Sequence, residues 1–429
     1  MYTSVLALAY LTSPSLGRHG LRFIDSGLDF PSSQSLNEGA CHPSVRAGIK
    51  DARNPMRMMA RLLLALDVAP AFHPTATRAP ACETSNPVVC SMRALRGLCV
   101  PVTTARSRGR MCEDVTEDAS QLEPCVGVIG QWEAKELMKA GKGLSEDKTL
   151  VMSIDMGRTE TSLLLNSEGV HLASTRALLA DWAAMKKIAK KDSRCFALYD
   201  DGTAPYHVCT LSENTNIAAS LCPPLRGGPD APTMILGGFT MHRVSGDDVN
   251  PRIDTENKIK AIRKYLKRGG RVLDTCMGLG YTAIEAAREV AEIGIDGEIG
   301  GHVTTIEYDD ASVEMATYNP WSKELFDGSL PIKILRGDAC EIVSRFKSRS
   351  FNVIIHDPPA RSLCRTDLYG LEFYKELARI ARGPVFHYIG NPKSREGGRL
   401  FPGVMSRLEE AGFSSVTKVE KAFGVVAFK

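Results

Sequence analysis

Apolar and polar positions follow two different rhythms along this chain. From Thr149 the apolar residues come in short runs separated by turn residues. Leu150 to Ile154, Thr161 to Leu165 and Val170 to Ala173 are divided by Gly157-Arg158 and by the segment Asn166 to Gly169, which predicts a β-meander. Leu178 to Lys190 places Leu178, Leu179, Trp182, Met185 and Ile188 at helical spacing, and this predicts a helix. Arg194 to Tyr199 and Tyr206 to Leu211 read as hairpin strands around Asp200-Asp201-Gly202. A Pro/Gly-rich stretch, Cys222 to Pro232, leads to a strand at Met234 to Phe239. These elements define a small β-rich domain over 145–240, with 241–254 as a linker.

From Thr255 onward helix and strand alternate, the order that builds a parallel sheet. Helices are expected at Glu256 to Leu266, Thr282 to Ala291, Ala311 to Tyr318, Leu371 to Ala381 and Val404 to Ala411. Strands are expected at Arg271 to Thr275, His302 to Glu307, Ile332 to Leu335, Phe351 to His356 and Val385 to Tyr388. Ser415 to Glu420 and Gly424 to Phe428 alternate and lie close together, so they read as an antiparallel pair closing the sheet.

Charge separates the first part of the chain from the rest. Residues 1–112 carry 13 Lys+Arg against 6 Asp+Glu, leaving 40 against 44 for 113–429. The first 112 residues are also rich in Ser, Ala and Pro and lack sustained periodicity, the composition of a disordered targeting leader. Within them an Arg-flanked apolar run, Leu62 to Val68, precedes Phe72 and a second Arg- and Ser-bearing segment. That order resembles a bipartite plastid transit peptide. A mitochondrial presequence or an uninformative tail remains the alternative, and translation starting at Met56, Met58 or Met59 is a further one. Residues 113–144 read as a linker with a short helix at Gln131 to Ala140. The mildly acidic remainder lacks the overall basic excess that nucleic-acid binding draws on, and Lys186, Lys187, Lys190 and Lys191 read as a solvated helix face. The leader's apolar run is too short for the roughly 20 residues of a spanning helix, so no membrane partner is expected. Twelve cysteines without a C-x-x-C pair indicate neither a zinc ribbon nor a disulfide framework. No metal is expected.

Chemistry concentrates at the predicted strand ends. The segment Val272 to Ala283 is an apolar strand ending in Asp274, then Gly278 and Gly280, then a helix, and glycines there let backbone approach a ligand closely. Glu307 ends the second strand, where a carboxylate can accept both hydrogen bonds of a ribose diol. Asp338 follows the third strand and Asp357-Pro358-Pro359 the fourth. Acids on four successive strand ends separate this pattern from a bare dinucleotide fingerprint.

On these residues the chain resembles the class I S-adenosylmethionine-dependent methyltransferases over about 255–429. The resemblance implies an α/β, Rossmann-like seven-stranded sheet closed by an antiparallel hairpin, and S-adenosyl-L-methionine as cofactor. The cofactor-binding residues it implies are Asp274, Thr275, Cys276, Gly278, Gly280, Tyr281, Glu307, Asp338 and Asp357, with Cys276 standing where the family's first loop glycine is usual. A closer resemblance, extending over about 145–429, is to an archaeal-type methyltransferase family without an assigned substrate. It rests on the loop Asp274 to Ala283, Asn319 to Ser322, His356 to Pro359, Gly157 to Glu160 and Met241 to Arg243. Asp357-Pro358-Pro359 resembles the motif of methyltransferases acting on amino nitrogens, which makes these three residues catalytic candidates. His356 and His387, at the ends of the fourth and fifth strands, are candidate proton acceptors above the cofactor.

The family motif's aromatic fourth residue is Ala360 here, so an adenine or cytosine acceptor is in doubt. Tyr369, Tyr374 or Tyr388 could supply a ring instead, each with core or surface packing as the alternative. Trp321 is expected to pack a loop near the adenine. Arg361 and Arg365 are expected either to meet an anionic substrate or to lie in solvent. The acceptor stays open between an RNA base, a protein side chain and a small amine. Aminopropyl transfer of the spermidine synthase type, from decarboxylated S-adenosylmethionine, is the alternative activity, and a non-catalytic scaffold the alternative class.

Overall fold

The computed structural model describes residues 125–224, 228–244, 249–293, 299–364 and 367–429. The leader at 1–112, the first residues of the expected linker and Arg365 lie outside the described residues. Among the described residues no helix is long and apolar enough to cross a membrane.

The central element is a seven-stranded mixed sheet. Its strands, numbered with the rest in chain order, are β12 (Arg271–Asp274), β15 (His302–Glu307), β16 (Ile332–Arg336), β17 (Val353–His356), β18 (Val385–Tyr388), β19 (Ser415–Val419) and β20 (Gly424–Phe428). They lie in the order β16-β15-β12-β17-β18-β20-β19. The first five run parallel, and β20 is inserted antiparallel between β18 and β19. This is the parallel sheet with a closing hairpin that the alternation predicted, in the Rossmann-like arrangement that the resemblance implied. The central strands β12 and β17 bury nearly every residue because helices cover both faces. Successive residues of β12 serve different faces: Val272 packs into one cluster with Ala283, Ile284 and Val303, and Leu273 into another with Tyr374, Leu377 and Val404. Chain order reverses at β12, which lies between β15 and β17. In open α/β sheets such a switch point opens a crevice at the carboxyl ends of the strands.

Among the described residues six helices flank this sheet: α3 (Pro251–Ile262), α4 (Tyr281–Val290), α5 (Asp310–Tyr318), α6 (Ala339–Ser344), α7 (Leu371–Ile380) and α8 (Arg395–Glu410). α8 starts nine residues before the position expected for it. Ser394 caps it by accepting from Gly397 N at 3.0 Å, and the helix continues through Pro402, a residue that ordinarily argues against an extended helix.

The preceding region forms three small antiparallel sheets. The expected meander is present as β2 (Lys148–Met152), β3 (Thr161–Leu165), β4 (Gly169–Leu172) and β5 (Leu178–Asp181). Here the expected helix over Leu178 to Lys190 is corrected. Its first turn is strand β5, and only Trp182–Ile188 is helical (α2), because Asp181 Oδ1 accepts from Ala184 N at 2.6 Å and starts the helix there. A second sheet joins β1 (Gly127–Ile129), β6 (Phe196–Leu198) and β7 (Tyr206–His207). The strand expected over Tyr206 to Leu211 is divided, since Cys209–Leu211 (β8) pairs instead with β9 (Ala218–Cys222). β9, β10 (Thr233–Leu236) and β11 (Phe239–Thr240) complete the third sheet, whose Leu221 and Met234 share a hydrophobic cluster with Ile259 of α3 and Val272 of the main sheet. The helix at Gln131–Ala140 (α1) has the expected bounds.

Candidate functional site

A cleft opens at the carboxyl edge of the parallel strands, walled by the β12–α4 loop, Glu307, Asp309, Asp338 and the Asp357–Pro359 segment. Its opposite side is the third small sheet, through Ile217, Met234, Leu236 and Met241. The loop is tied from beneath: Thr275 N donates to Ile355 O at 3.0 Å and Met277 N to Ile306 O at 2.9 Å. The two glycines then do different things. Gly280 (φ +76°) begins α4, and a Cβ there would run into Leu325. Gly278 (φ +53°) faces open space, with nothing within 4 Å of a Cβ placed on it. Its backbone lies bare beside the cleft, as close approach of a ligand requires.

Carboxylates dominate the walls. Glu307 Oε2 accepts from Gly278 N and Oε1 from Asp309 N, both at 2.8 Å, so one side chain fixes both the glycine loop and the start of α5. Burial pushes the Glu307 carboxyl up to about 7, against those two N–H bonds. Asp309 caps α5, accepting from Ala311 N at 2.8 Å, and accepts from the Thr215 hydroxyl at 2.8 Å, linking the small sheet to the cleft wall. Asp338 caps α6 through Cys340 N at 2.8 Å. Among the described residues lining the cleft there is no Lys or Arg.

Thr275, Cys276, Gly278, Tyr281, Glu307, Asp338, Asp357, Pro358 and Pro359 all line this cleft, so the structure brings together these nine residues singled out from the sequence. Asp274 and Gly280 do not. Asp274 is fully buried under the loop, accepts from the Thr305 hydroxyl at 2.9 Å and leaves Oδ1 without a partner. Burial pushes its carboxyl up to about 8, with Thr305 opposing and the charges of Asp357 and Glu307 adding, so it keeps its proton at neutral pH.

The expectation for the two histidines is corrected. His356 and His387 do meet, with ring centroids 4.4 Å apart, but both are fully buried in the core beside Phe373 and Tyr374 and neither lines the cleft. His356 Nδ1 pairs with the Thr275 hydroxyl at 2.7 Å and Nε2 with Leu368 O at 2.9 Å. His387 Nε2 pairs with the Tyr374 hydroxyl at 2.7 Å. Burial holds His356 down at about 3 and His387 well below the usual range, so both are neutral structural groups. Trp321 is likewise away from the cleft: its Nε1 donates to Met156 O at 3.1 Å and Arg158 lies over its ring. Tyr369 and Tyr374 are buried; Tyr369 donates to Pro359 O at 3.1 Å and so fixes the loop rather than offering a stacking face. Arg361 is exposed.

Sequence reasoning missed the partner of Asp357. Lys258 of α3 is 2% exposed at its side chain, and its Nζ donates to Asp357 Oδ2 at 2.6 Å. The same ammonium lies 3.1 Å from Asp254 Oδ2 and 4.5 Å from the centre of the Tyr388 ring. Asp254 also pairs with Arg243, whose guanidinium lies over Phe423. A signal was present: Asp254 and Lys258, four apart, share the helix face of Thr255, Ile259 and Ile262, and charges on a buried stripe need partners.

No protein-family model matches the chain. Among solved structures it is similar to a SAM-dependent methyltransferase from Aquifex aeolicus, at 23% identity over 42% of this chain and 94% of that one, with a TM-score of 0.32. It is similar to spermidine synthase from Thermotoga maritima at 17% identity, over 53% and 74% of the chains, with a TM-score of 0.36. The uncharacterised protein MJ1233 of Methanocaldococcus jannaschii is 40% identical over 301 residues, which is 69% of this chain and 93% of that protein. At that identity and coverage, the chain belongs to the same protein family as MJ1233.

Proposed function

We propose that this protein is an S-adenosyl-L-methionine-dependent methyltransferase acting on an amino nitrogen. The observation that carries the reading is one continuous cleft at the sheet's switch point, with Glu307 and Asp338 on one side and Asp357-Pro358-Pro359 on the other. The residues present fit the cofactor. Glu307 would hold the ribose hydroxyls on lone pairs left beside its two backbone bonds, Asp338 the adenine amine, and the open space over Gly278 the methionyl part.

S-adenosyl-L-methionine, when bound, supplies an electrophilic methyl group on a positively charged sulfur. The chain's own task is to present an uncharged nitrogen to it. Asp357 keeps one oxygen on Lys258, which leaves the other for an N–H of the acceptor. The Pro359 carbonyl is taken by Tyr369, so the Pro358 carbonyl is the remaining loop acceptor. Two such hydrogen bonds orient the nitrogen lone pair, and in this reaction positioning supplies most of the rate. His242 lines the cleft, but it pairs with the Thr233 hydroxyl at 3.1 Å and burial holds it down at about 3, so Asp357 or solvent takes the released proton.

A second reading, aminopropyl transfer from decarboxylated S-adenosylmethionine, is favoured by the absence of Lys and Arg among the described residues lining the cleft, which suits a cationic diamine. The test is transfer of labelled methyl from S-adenosylmethionine to RNA, protein and small-amine pools, run beside decarboxylated cofactor with putrescine. Methylated amine abolished by Asp357→Ala supports the first reading; spermidine formation replaces it with the second.

A further inference from the structure

We infer that Lys258, held in place by Asp254, is a positioning residue that keeps Asp357 ionised and fixes which of its oxygens faces the cleft. The inference rests on the reading of Asp357 as the group that receives the acceptor, and its test is read without acceptor or cofactor.

The geometry is fully specified. The Lys258 ammonium donates to Asp357 Oδ2 at 2.6 Å, lies 3.1 Å from Asp254 Oδ2 as an ion pair and sits 4.5 Å from the centre of the Tyr388 ring. Arg243 balances the second carboxylate, so Arg243, Asp254, Lys258 and Asp357 alternate in sign and sum to no net charge. Three of the four anchors are unrelated to the cleft: α3 supplies Asp254 and Lys258, and the guanidinium of Arg243 is pinned by Phe423 and by Lys421 O at 2.9 Å. The row therefore runs from the segment before β20 through α3 to the cleft and ends on the one carboxylate that the proposed transfer uses. α3 itself is fixed by Asn250, which accepts from Ile253 N at 2.8 Å, with Pro251 in its first turn.

The surroundings of Asp357 show what Lys258 opposes. Facing it are Asp254 and Lys258 from α3, Asp274 and Cys276 from the end of β12 and its loop, Tyr388 from β18 and Tyr369 from the segment before α7. Among these, Lys258 alone is cationic. Burial lifts the Asp357 carboxyl above its usual range and Lys258 pulls it back, while burial of Lys258 is outweighed by its two carboxylates, which hold it charged. A protonated Asp357 would offer the acceptor one oxygen fewer and a competing donor. Truncating Lys258 would also free the side chain to turn.

The experiment is an infrared titration of the full chain, labelled isotopically at aspartate side-chain carboxyls, with the Asp357→Asn spectrum subtracted so that the Asp357 band is isolated. Asp357 is expected to be ionised at neutral pH in the wild type and in Lys258→Arg. In Lys258→Met its midpoint should rise by roughly one to three pH units, the effect of removing an opposite charge at contact. Lys258→Gln should shift it in the same direction and serves if Lys258→Met does not fold, whereas Asp254→Asn removes a like charge and should lower it. A midpoint unchanged in Lys258→Met, or in Lys258→Gln where only that variant folds, overturns the inference, as does a wild-type Asp357 protonated at neutral pH. Failure of S-adenosylmethionine to bind would count against the proposed function and leave this titration standing.

Discussion

Replacing Glu307 by Gln separates the shape of this side chain from its charge. In the wild type both carboxylate oxygens accept backbone N–H bonds at 2.8 Å, from Gly278 and Asp309. A glutamine satisfies one of these and must turn its NH2 toward the other, leaving a buried donor facing a donor at a cost of about 1–3 kcal/mol in stability. Cofactor affinity should suffer independently. A hydroxyl bonded to a carboxylate contributes about 1.5–3 kcal/mol, so its loss weakens binding roughly 10- to 150-fold. Because burial sets this carboxyl at about 7, ionisation itself should be visible in binding. Wild-type affinity for S-adenosylhomocysteine should fall toward acid below about pH 7, by at most tenfold per pH unit, as the carboxylate takes up its proton. In Glu307→Gln the affinity should be flat over that range. Calorimetric titration with S-adenosylhomocysteine between about pH 5.5 and 8 reads both effects. Wild-type affinity in the glutamine variant, within about threefold at pH 8, would refute the assignment of Glu307 to the ribose.

Gly278→Ala and Gly280→Ala should part company, although both pay about 1–2 kcal/mol for positive φ: the first meets open space and should mainly lose cofactor binding, whereas the second meets Leu325 and should mainly lose thermal stability. Calorimetry and melting curves on the two proteins check this. Asp274 has a folded pKa raised to about 8, so the folded chain holds a proton that the unfolded chain has released above about pH 4, and this group makes stability fall as pH rises between those values. Asp274→Asn should flatten that fall, by at most about 1.4 kcal/mol per pH unit, in denaturant titrations at about pH 5, 6.5 and 8. His356→Ala removes a buried ring bonded at both nitrogens and should cost about 3–5 kcal/mol in denaturant unfolding. The folded fraction of that variant should bind S-adenosylhomocysteine normally, and a specific loss of binding would return His356 to the site.

The sheet was legible because its strands are long enough to carry a period and end in recognisable residues. His302–Glu307, Val385–Tyr388 and Gly424–Phe428 have the bounds read from sequence. β1 and β9 were not legible: β1 is three residues long and finds its partner, β6, some 70 positions away, so pairing rather than local pattern creates it. Leu178 and Leu179 fit either period, and the Asp181 cap decided for strand. In the site, Glu307 and Asp357 announced themselves by position after apolar strands. His356 and His387 stood at equally prominent positions, yet alternation along a strand turns consecutive residues to opposite faces, and that placed both rings in the core next to Tyr374. Lys258 was passed over because a lysine on a helix is ordinarily solvent-facing; the buried stripe it shares with Asp254 and Ile262 was the clue.

The most direct measurement is calorimetric titration of the full chain with S-adenosylmethionine, S-adenosylhomocysteine and decarboxylated S-adenosylmethionine, with Gly278→Ala alongside. The account predicts one site for each of the first two, weaker binding of the decarboxylated form, and loss of all three in the variant. No binding of any of them to the wild-type chain would contradict it.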